Sequence, residues 1–229
     1  MFYFDSHYLI YVGIPILIAM FAQFRVSAAF NKYARIRSSS GKTGSEVARE
    51  ILQAAQIDDV EVTEVNGFLG DHYDPTKKRL CLSTATYNTP SLAAVGIAAH
   101  ETGHAIQHAR AYAPLQWRMT IVPITQIASN MLPFVIIGGL WFHMFALLKL
   151  GVLVYLVLTV FQLITLPVEY DASRRAKIIL GQMGLVQPGA ETAGVRDMLG
   201  AAALTYVAAF IASLGNLLWL LSMTSSRRD

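Results

Sequence analysis

The chain has 229 residues, of which 54% are hydrophobic and only 14% are charged, and its formal net charge is +3. Because an ordinary soluble domain carries about 25% charged residues, much of this surface is expected not to face water. No basic stripe is interleaved with aromatic residues, so nucleic acid is not an expected partner. The single cysteine, Cys81, cannot form an internal disulfide, and we interpret it as a small apolar residue in a strand.

Four apolar stretches reach or approach the length of about 20 residues that an α-helix needs to cross a bilayer. They cover residues 8–24, 121–148, 151–168 and 199–223, and none has an Asp, Glu, Lys or Arg in its middle. The first stretch lacks a preceding Lys or Arg and an evident cleavage site, so we interpret it as a retained anchor. In the alternative, a three-span protein, one of the middle stretches is a buried core helix.

The charges between these stretches predict the orientation in the membrane. Eleven Lys and Arg residues lie within 25–120 and four within 169–198, whereas the link between the second and third stretches has only Lys149. The positive-inside rule therefore predicts that both charged segments face the cytoplasm. The predicted parts are an N-terminal transmembrane anchor (1–24), a cytoplasmic domain (25–120), a transmembrane hairpin (121–168), a cytoplasmic segment (169–198), and a C-terminal transmembrane helix with its tail (199–229).

The first cytoplasmic segment shows both helical and strand patterns. Residues 43–56 place their apolar side chains on one helical face, which predicts an amphipathic helix. Residues 59–65 alternate between polar and apolar side chains, and this alternation predicts a strand. A second strand is predicted at 79–83, paired with the first strand or with Phe68–Leu69. The extramembrane domain is therefore expected to be α+β, with a small hairpin or sheet.

A further helix is predicted over residues 89–112, with Thr89 as its N-cap, and it carries the sequence HETGH. His100 and His104 are four residues apart and lie on one helical face, so both imidazoles can bind one Zn²⁺ at about 2.0–2.1 Å. Glu101 follows the first histidine and can act as a general base. The motif HExxH on a helix is typical of zinc metallopeptidases.

A catalytic zinc site needs a third protein ligand in addition to these two histidines. His108 lies eight residues after His100, which is about 12 Å along a straight helix. No glycine follows His104 to turn the chain towards the metal. We therefore expect His108 to lie in the outer surroundings of the site or on the surface.

Glu169 is the other candidate, because it follows the third apolar stretch on the same predicted side of the membrane as HETGH. Pro167 is expected to separate the span from the turns that carry this carboxylate. A metal site of two histidines and one glutamate would leave one position for water. The residues also fit a simpler interpretation, in which Glu169 and Asp171 only stabilise a helix N-terminus.

Two segments carry a resemblance to a known family: HETGH with the following AIQH, and PVEYDASRRA at 167–176. The chain resembles the YugP-like neutral zinc metallopeptidases of bacterial membranes over nearly its whole length, including ALTYVAA at 203–209. The resemblance implies a mainly α membrane protein with about four transmembrane helices and a zincin-like α+β domain. It also implies a gluzincin-like hydrolase in the bacterial cytoplasmic membrane, with one Zn²⁺ per chain, Glu101 as general base, and the ligands His100, His104 and Glu169.

A more distant resemblance is to HtpX-like membrane proteases, which have a Glu-x-x-Ala-Asp pattern. Here Ser173 replaces the aspartate that is expected to orient a ligating histidine, so Ser173 or Asp171 is the predicted hydrogen-bond partner. A zincin also needs a donor for the developing oxyanion, and the sequence does not select one. The candidates are Tyr170, Arg174, Arg175 and His72.

These features predict a membrane-embedded metalloendopeptidase in which a Zn²⁺-activated water attacks a peptide bond at the cytoplasmic membrane face. Its substrates are expected to be membrane proteins or extended peptides, paired with an edge strand at Gly67, Phe68 and Leu69. The expected partners are the lipid bilayer, these substrates and further membrane proteins, and the oligomeric state is left open. The alternative function is a non-catalytic or weakly catalytic quality-control scaffold, although a purely structural zinc would not need Glu101.

Overall fold

The computed structural model describes residues 6–67 and 70–225, which form long helices and one small sheet. The chain divides into two compact units. Unit 1 comprises Met1–Gln23, Gln116–Pro167 and Leu204–Asp229, and unit 2 comprises Phe24–Leu115 and Val168–Ala203. The helices in chain order are α1 (Ser6–Tyr8), a π-helical turn (Leu9–Gly13), α2 (Ile14–Tyr33), α3 (Gly44–Ala54), α4 (Thr84–Tyr87), α5 (Leu92–Ala109), α6 (Ala113–Trp141), α7 (Phe145–Gln182) and α8 (Ala190–Ser225).

Four helices of the described chain are long and apolar enough to cross a membrane, which confirms the predicted membrane fold with four spans. The three-span alternative is therefore not needed. The third of these helices differs from the prediction at Pro167, because α7 continues through this residue to Gln182. A proline removes one helical N–H and bends a helix without necessarily ending it. The four helices are Leu9–Tyr33, Ala113–Trp141, Phe145–Gln182 and Ala190–Ser225.

Unit 1 exposes large apolar side chains along its helices. Leu17, Phe134 and Leu163 are all more than half exposed. Such extended apolar exposure is rare on a soluble protein and suits contact with lipid chains. Between α7 and α8, the hydroxyl oxygens of Thr159 and Ser213 are 2.8 Å apart, and this buried polar pair joins the two helices.

The sheet of unit 2 has three strands, β1 (Glu61–Val65), β2 (His72–Asp74) and β3 (Arg79–Ser83), in the order β1-β3-β2. β1 runs parallel to β3, whereas β2 pairs antiparallel with β3 through the turn that follows Asp74. The predicted strands at 59–65 and 79–83 are therefore neighbours, but they do not form a hairpin.

The predicted substrate strand at Gly67–Leu69 is wrong at Gly67, which lies in a bend after β1 with a φ of 126°. A backbone with such a φ does not continue an extended strand. Phe68 and Leu69 lie outside the described residues. The strand that pairs antiparallel with β3 is β2, which begins at His72.

The core of unit 2 is formed where α3 and α5 pack together with α7 and α8. Val47 and Ile51 of α3 meet Val95 and Ala99 of α5 in one buried cluster, which also contains Leu180 of α7. A capping box closes the start of α3: Thr43 accepts from the Glu46 N–H, and Glu46 accepts from the Thr43 N–H. The predicted helix at 43–56 is confirmed. Helix α5 packs in the buried cluster together with α3, α7 and α8.

The N-terminus of α5 differs from the prediction, because its N-cap is Ser91 and not Thr89. The Ser91 hydroxyl accepts from the Ala94 N–H. The chain is extended just before this point, since the Pro90 carbonyl accepts from the Ser38 N–H and Ser91 forms a bridge with Arg37. Because of these tertiary hydrogen bonds, the helix begins two residues later than the sequence around Thr89 predicted.

Candidate metal centre

One cluster of potential metal ligands stands out in unit 2, and it joins α5 to α7. His100 Nε2 lies 3.3 Å from Glu169 Oε2, and His104 Nε2 lies 3.5 Å from the same oxygen. All three side chains are buried, and ligand atoms of the three residues lie within 4.8 Å of one another. The sequence predicted these three residues as metal ligands, and the structure brings them together.

The spacing of these atoms fits a tetrahedral zinc ion. Ligand atoms about 2.0–2.1 Å from zinc and separated by the tetrahedral angle lie about 3.3–3.4 Å from each other. The two nitrogen–oxygen distances of 3.3 and 3.5 Å are close to this value. Two imidazoles and one carboxylate are also the donor set of a catalytic zinc site that retains one open position. The residues therefore fit the ion in both chemistry and separation.

The close approach of α7 to α5 depends on Gly103, the fourth residue of HETGH. A Cβ atom at this position would lie 2.8 Å from the Ala172 carbonyl oxygen and 3.2 Å from the Ala172 Cα. Real Cβ atoms essentially never come within 3.0 Å of another heavy atom in this way, and here the neighbour is backbone. The glycine thus lets the Glu169-bearing helix lie directly against the histidine-bearing helix.

The two histidines are oriented by different partners. Ser173 Oγ lies 3.1 Å from His100 Nδ1, and Gln107 Oε1 lies 3.0 Å from His104 Nδ1. In both rings, Nδ1 contacts this partner and Nε2 faces Glu169. Ser173 thus occupies the place that the sequence predicted for an orienting residue.

Gln107 is completely buried, and sequence reasoning did not identify it. Its Nε2 donates to the Val168 carbonyl at 2.8 Å and to Asp171 Oδ2 at 3.0 Å. Asp171, the other predicted orienting residue, therefore reaches His104 only through Gln107. Its position in the sequence could have identified it, because a polar residue three positions after His104 lies on the same helical face, among apolar neighbours.

Asp171 is anchored by two arginines of the next helical turn. Arg174 Nη2 donates to Asp171 Oδ1 at 2.6 Å, and Arg175 Nε donates to Asp171 Oδ2 at 2.5 Å. The guanidinium group of Arg175 also lies over the Tyr112 ring. Both arginines were candidates for an oxyanion donor, and the structure instead shows them paired with a carboxylate.

Glu101 is partly exposed and follows the buried His100 directly in α5. The pKa of His104 is raised above its ordinary value: burial lowers it, but the hydrogen bond and the charge of Glu169 raise it by more. The charge of Glu101 contributes in the same direction. Without metal, His104 therefore binds a proton more readily than a free histidine does.

The remaining predicted residues lie around the site in different environments. His108 Nδ1 lies 2.8 Å from the Tyr73 hydroxyl of β2. Burial and the charges of Asp59 and Asp74 raise the pKa of Tyr73 to about 12, so this hydroxyl keeps its proton. Tyr170 is 52% exposed. His72 Nδ1 lies against the Gly70 carbonyl, on an exposed part of the sheet.

Known proteins provide an independent comparison. Residues 8–225 match the protein family described as "Putative neutral zinc metallopeptidase". The chain belongs to this family. It is also 42% identical over 212 residues to the "Putative membrane protease YugP" of Bacillus subtilis (strain 168), an alignment that covers 93% of this chain and 94% of the relative. No solved structure matches the chain.

Family membership confirms the resemblance inferred from HETGH and from the segment around Glu169. The family description and the relative's name support a zinc-dependent protease. Together with the four long apolar helices, they also support an integral membrane protein.

Proposed function

We propose that the chain is a membrane-embedded metalloendopeptidase in which His100, His104 and Glu169 bind one Zn²⁺ and Glu101 is the general base. The observation that carries this proposal is the convergence of three buried residues from α5 and α7, with both nitrogen–oxygen distances close to those of a tetrahedral site. A carboxylate that only stabilised a helix terminus would not need to lie against two imidazoles in the interior.

The residues of the site divide the chemistry between them. A zinc ion held by His100, His104 and Glu169 would lower the pKa of a water molecule and polarise a carbonyl group. Glu101 takes a proton from the attacking water as its oxygen bonds to the peptide carbonyl carbon. Glu101 then delivers that proton to the amide nitrogen, the C–N bond breaks, and the products are a carboxylic acid and an amine. Such proton transfers contribute a factor of about 10²–10⁴ to a rate.

The substrate is proposed to be a membrane protein or peptide in extended form, and further membrane proteins are proposed as partners. The sheet order leaves β1 and β2 each with one edge that no strand among the described residues covers. β2 carries Tyr73, which touches His108 one helical turn after His104. An extended segment added to β2 would thus bind beside the end of the HETGH helix, and β2 takes this role in place of the strand predicted to begin at Gly67.

The proposed location is a bacterial cytoplasmic membrane with the active site on the cytoplasmic side. Its support is the distribution of Lys and Arg, which are concentrated in 25–120 and 169–198. Protease protection of an epitope inserted at the exposed Lys77–Lys78 turn, in oriented vesicles, tests this orientation. Cleavage of the tag from the side opposite the cytoplasm would contradict it.

The deciding experiment for catalysis is Glu101→Gln in the purified full chain, with zinc content and hydrolysis of a fluorogenic peptide library as readouts. We expect one zinc per chain in both proteins and a loss of hydrolysis of about 10²–10⁴-fold in the variant. Glu50→Gln is the matched control, because Glu50 is also a partly exposed helical glutamate, but on α3, where it pairs with Lys42. Hydrolysis that survives Glu101→Gln contradicts the general-base role. A zinc-loaded wild type without hydrolysis would favour the scaffold alternative.

A further inference from the structure

We propose that Gln107 is a positioning residue for the metal: it holds His104 in the tautomer with hydrogen on Nδ1, so that the Nε2 lone pair faces Glu169. Asp171 and its two arginines keep the Gln107 amide in the required orientation. This inference rests on the metal site of the proposed function. It adds a residue outside the HETGH motif and outside the three ligands.

The orientation of the Gln107 amide follows from its surroundings. One end of the amide faces the Val168 carbonyl and Asp171 Oδ2. Both groups can only accept hydrogen bonds, since Asp171 is ion-paired with Arg174 and Arg175 and is therefore a carboxylate. The end that faces them must therefore be the NH₂ group, and it uses both of its hydrogens there.

The opposite end of the amide is then a carbonyl oxygen, and it lies 3.0 Å from His104 Nδ1. A carbonyl oxygen accepts only, so Nδ1 must carry the hydrogen. In a neutral imidazole the other nitrogen then has the free lone pair. That nitrogen, Nε2, is the atom 3.5 Å from Glu169 Oε2. The hydrogen bonds thus prepare His104 as a metal ligand.

The partner of His100 does not impose such a choice. Ser173 Oγ lies 3.1 Å from His100 Nδ1, and a hydroxyl group can either donate or accept. It therefore steadies the ring without selecting a tautomer. Of the two ligating histidines, His104 is the one whose protonation pattern is fixed by a chain of buried and charged groups.

The chain from His104 to the arginines also limits the motion of the ring. Gln107 is completely buried and Asp171 is 7% exposed, so water does not compete for their hydrogen bonds. Outer partners of this kind typically change metal affinity by about 10–100-fold when they are removed. We expect the same range for Gln107.

The test measures zinc affinity by competition with a chelator, in the full chain in detergent, for Gln107→Leu and for Thr102→Val. Thr102 is the matched control, because it is also completely buried on α5, but its hydroxyl donates to the Ala98 carbonyl of its own helix. We expect zinc affinity to fall about 10–100-fold in Gln107→Leu and to change little in Thr102→Val. Equal affinities in the two variants would overturn the proposal.

A second experiment separates positioning from a merely structural role by exchanging the two polar groups. In the double variant Gln107→Glu with Asp171→Asn, the new amide can donate to the new carboxylate, and that carboxylate can accept from His104 Nδ1–H. The Val168 carbonyl loses its donor in this variant, because a carboxylate at position 107 can only accept. We therefore expect this variant to recover part of the affinity lost in Gln107→Leu, and its Co²⁺-loaded form to show the wild-type visible absorption. Affinity as low as in Gln107→Leu, with both proteins folded, contradicts the proposal.

Failure of this inference and failure of the proposed function give different results. If the wild type binds no zinc, the metal site itself is wrong, whatever Gln107 does. If the wild type binds zinc and His104→Ala abolishes binding while Gln107→Leu does not weaken it, the site stands and only the positioning role is lost.

Discussion

The candidate metal site has two halves of different character, one on α5 and one on α7. The α5 half holds both histidines and Glu101 within five consecutive residues, and the helical repeat alone aligns them. The α7 half holds Glu169, which is 69 residues beyond His100, and its position depends entirely on packing. The local motif therefore supplies the chemistry of the site, whereas the contact between α5 and α7 decides whether the site is complete.

The largest effect is expected from Glu169→Gln, which removes the negative charge of the α7 ligand and keeps the size of its side chain. The neutral amide is a much weaker ligand for zinc than a carboxylate, so zinc affinity should fall by more than the roughly 10–100-fold typical of an outer partner, and hydrolysis should be lost with it. Zinc content after dialysis against a chelator measures this.

His108→Ala is the control for Glu169→Gln, because His108 was the other possible third ligand. It contacts Tyr73, so zinc should be retained in this variant. Retention of zinc in Glu169→Gln together with its loss in His108→Ala would reverse the assignment of the third ligand.

The contact between the halves is tested by Gly103→Ala. The new Cβ would press on the Ala172 backbone, which cannot rotate away, so α7 must shift. Overpacking of this kind typically costs about 1–3 kcal/mol, and the shift should also weaken zinc binding because Glu169 moves with α7. Thermal unfolding and chelator competition measure the two effects.

Gly96→Ala is the matched control on the same helix. There the new Cβ would meet the Met198 Cε atom, the end of a flexible side chain that can move aside. We expect little change in zinc affinity. Equal losses of affinity at Gly96 and Gly103 would show that the α5–α7 contact has no special role.

The same division explains which parts of the molecule could be predicted from the sequence. The four spans and the helix at 43–56 follow from composition and periodicity, and the convergence of Glu169 with the histidines was expected from the predicted topology and the family resemblance. The true N-cap at Ser91 did not, because a bridge to Arg37 fixes the preceding backbone.

Two further features also depend on tertiary contacts that no local pattern reports. The parallel pairing of β1 with β3 joins strands that are separated by β2 in the chain. The role of Gln107 depends on the approach of Val168 and Asp171 from α7. Its position beside His104 was visible in the sequence, but the acceptors that orient its amide were not.

The raised pKa of His104 predicts a pH dependence of zinc binding. Because the pKa of His104 is raised in the metal-free protein, zinc must displace a proton at every pH below that raised pKa. Affinity should therefore fall on acidification, by about tenfold per pH unit for each proton displaced. Chelator competition between about pH 5.5 and pH 8 measures the slope.

The stability of the metal-free protein should change with pH in the opposite direction. The protonated His104 paired with Glu169 stabilises the fold below the unfolded-state pKa of histidine, and this stabilisation is lost as pH rises through the raised pKa. Thermal unfolding in the presence of a chelator measures this. A zinc affinity that does not depend on pH over the same range would contradict the raised pKa of His104.

The smallest effect is expected from Ser173→Ala, which removes the partner of His100. A neutral hydrogen bond contributes about 0.5–1.5 kcal/mol net, so zinc affinity should fall by only about two- to tenfold. Ser213→Ala is the control, because Ser213 is also a buried helical serine whose hydroxyl meets another side chain, here in unit 1. If Ser173→Ala weakened zinc binding as much as Gln107→Leu, the two histidines would be supported equally. The asymmetry between a hydroxyl that can donate or accept and an amide with a fixed orientation would then have no consequence for the metal.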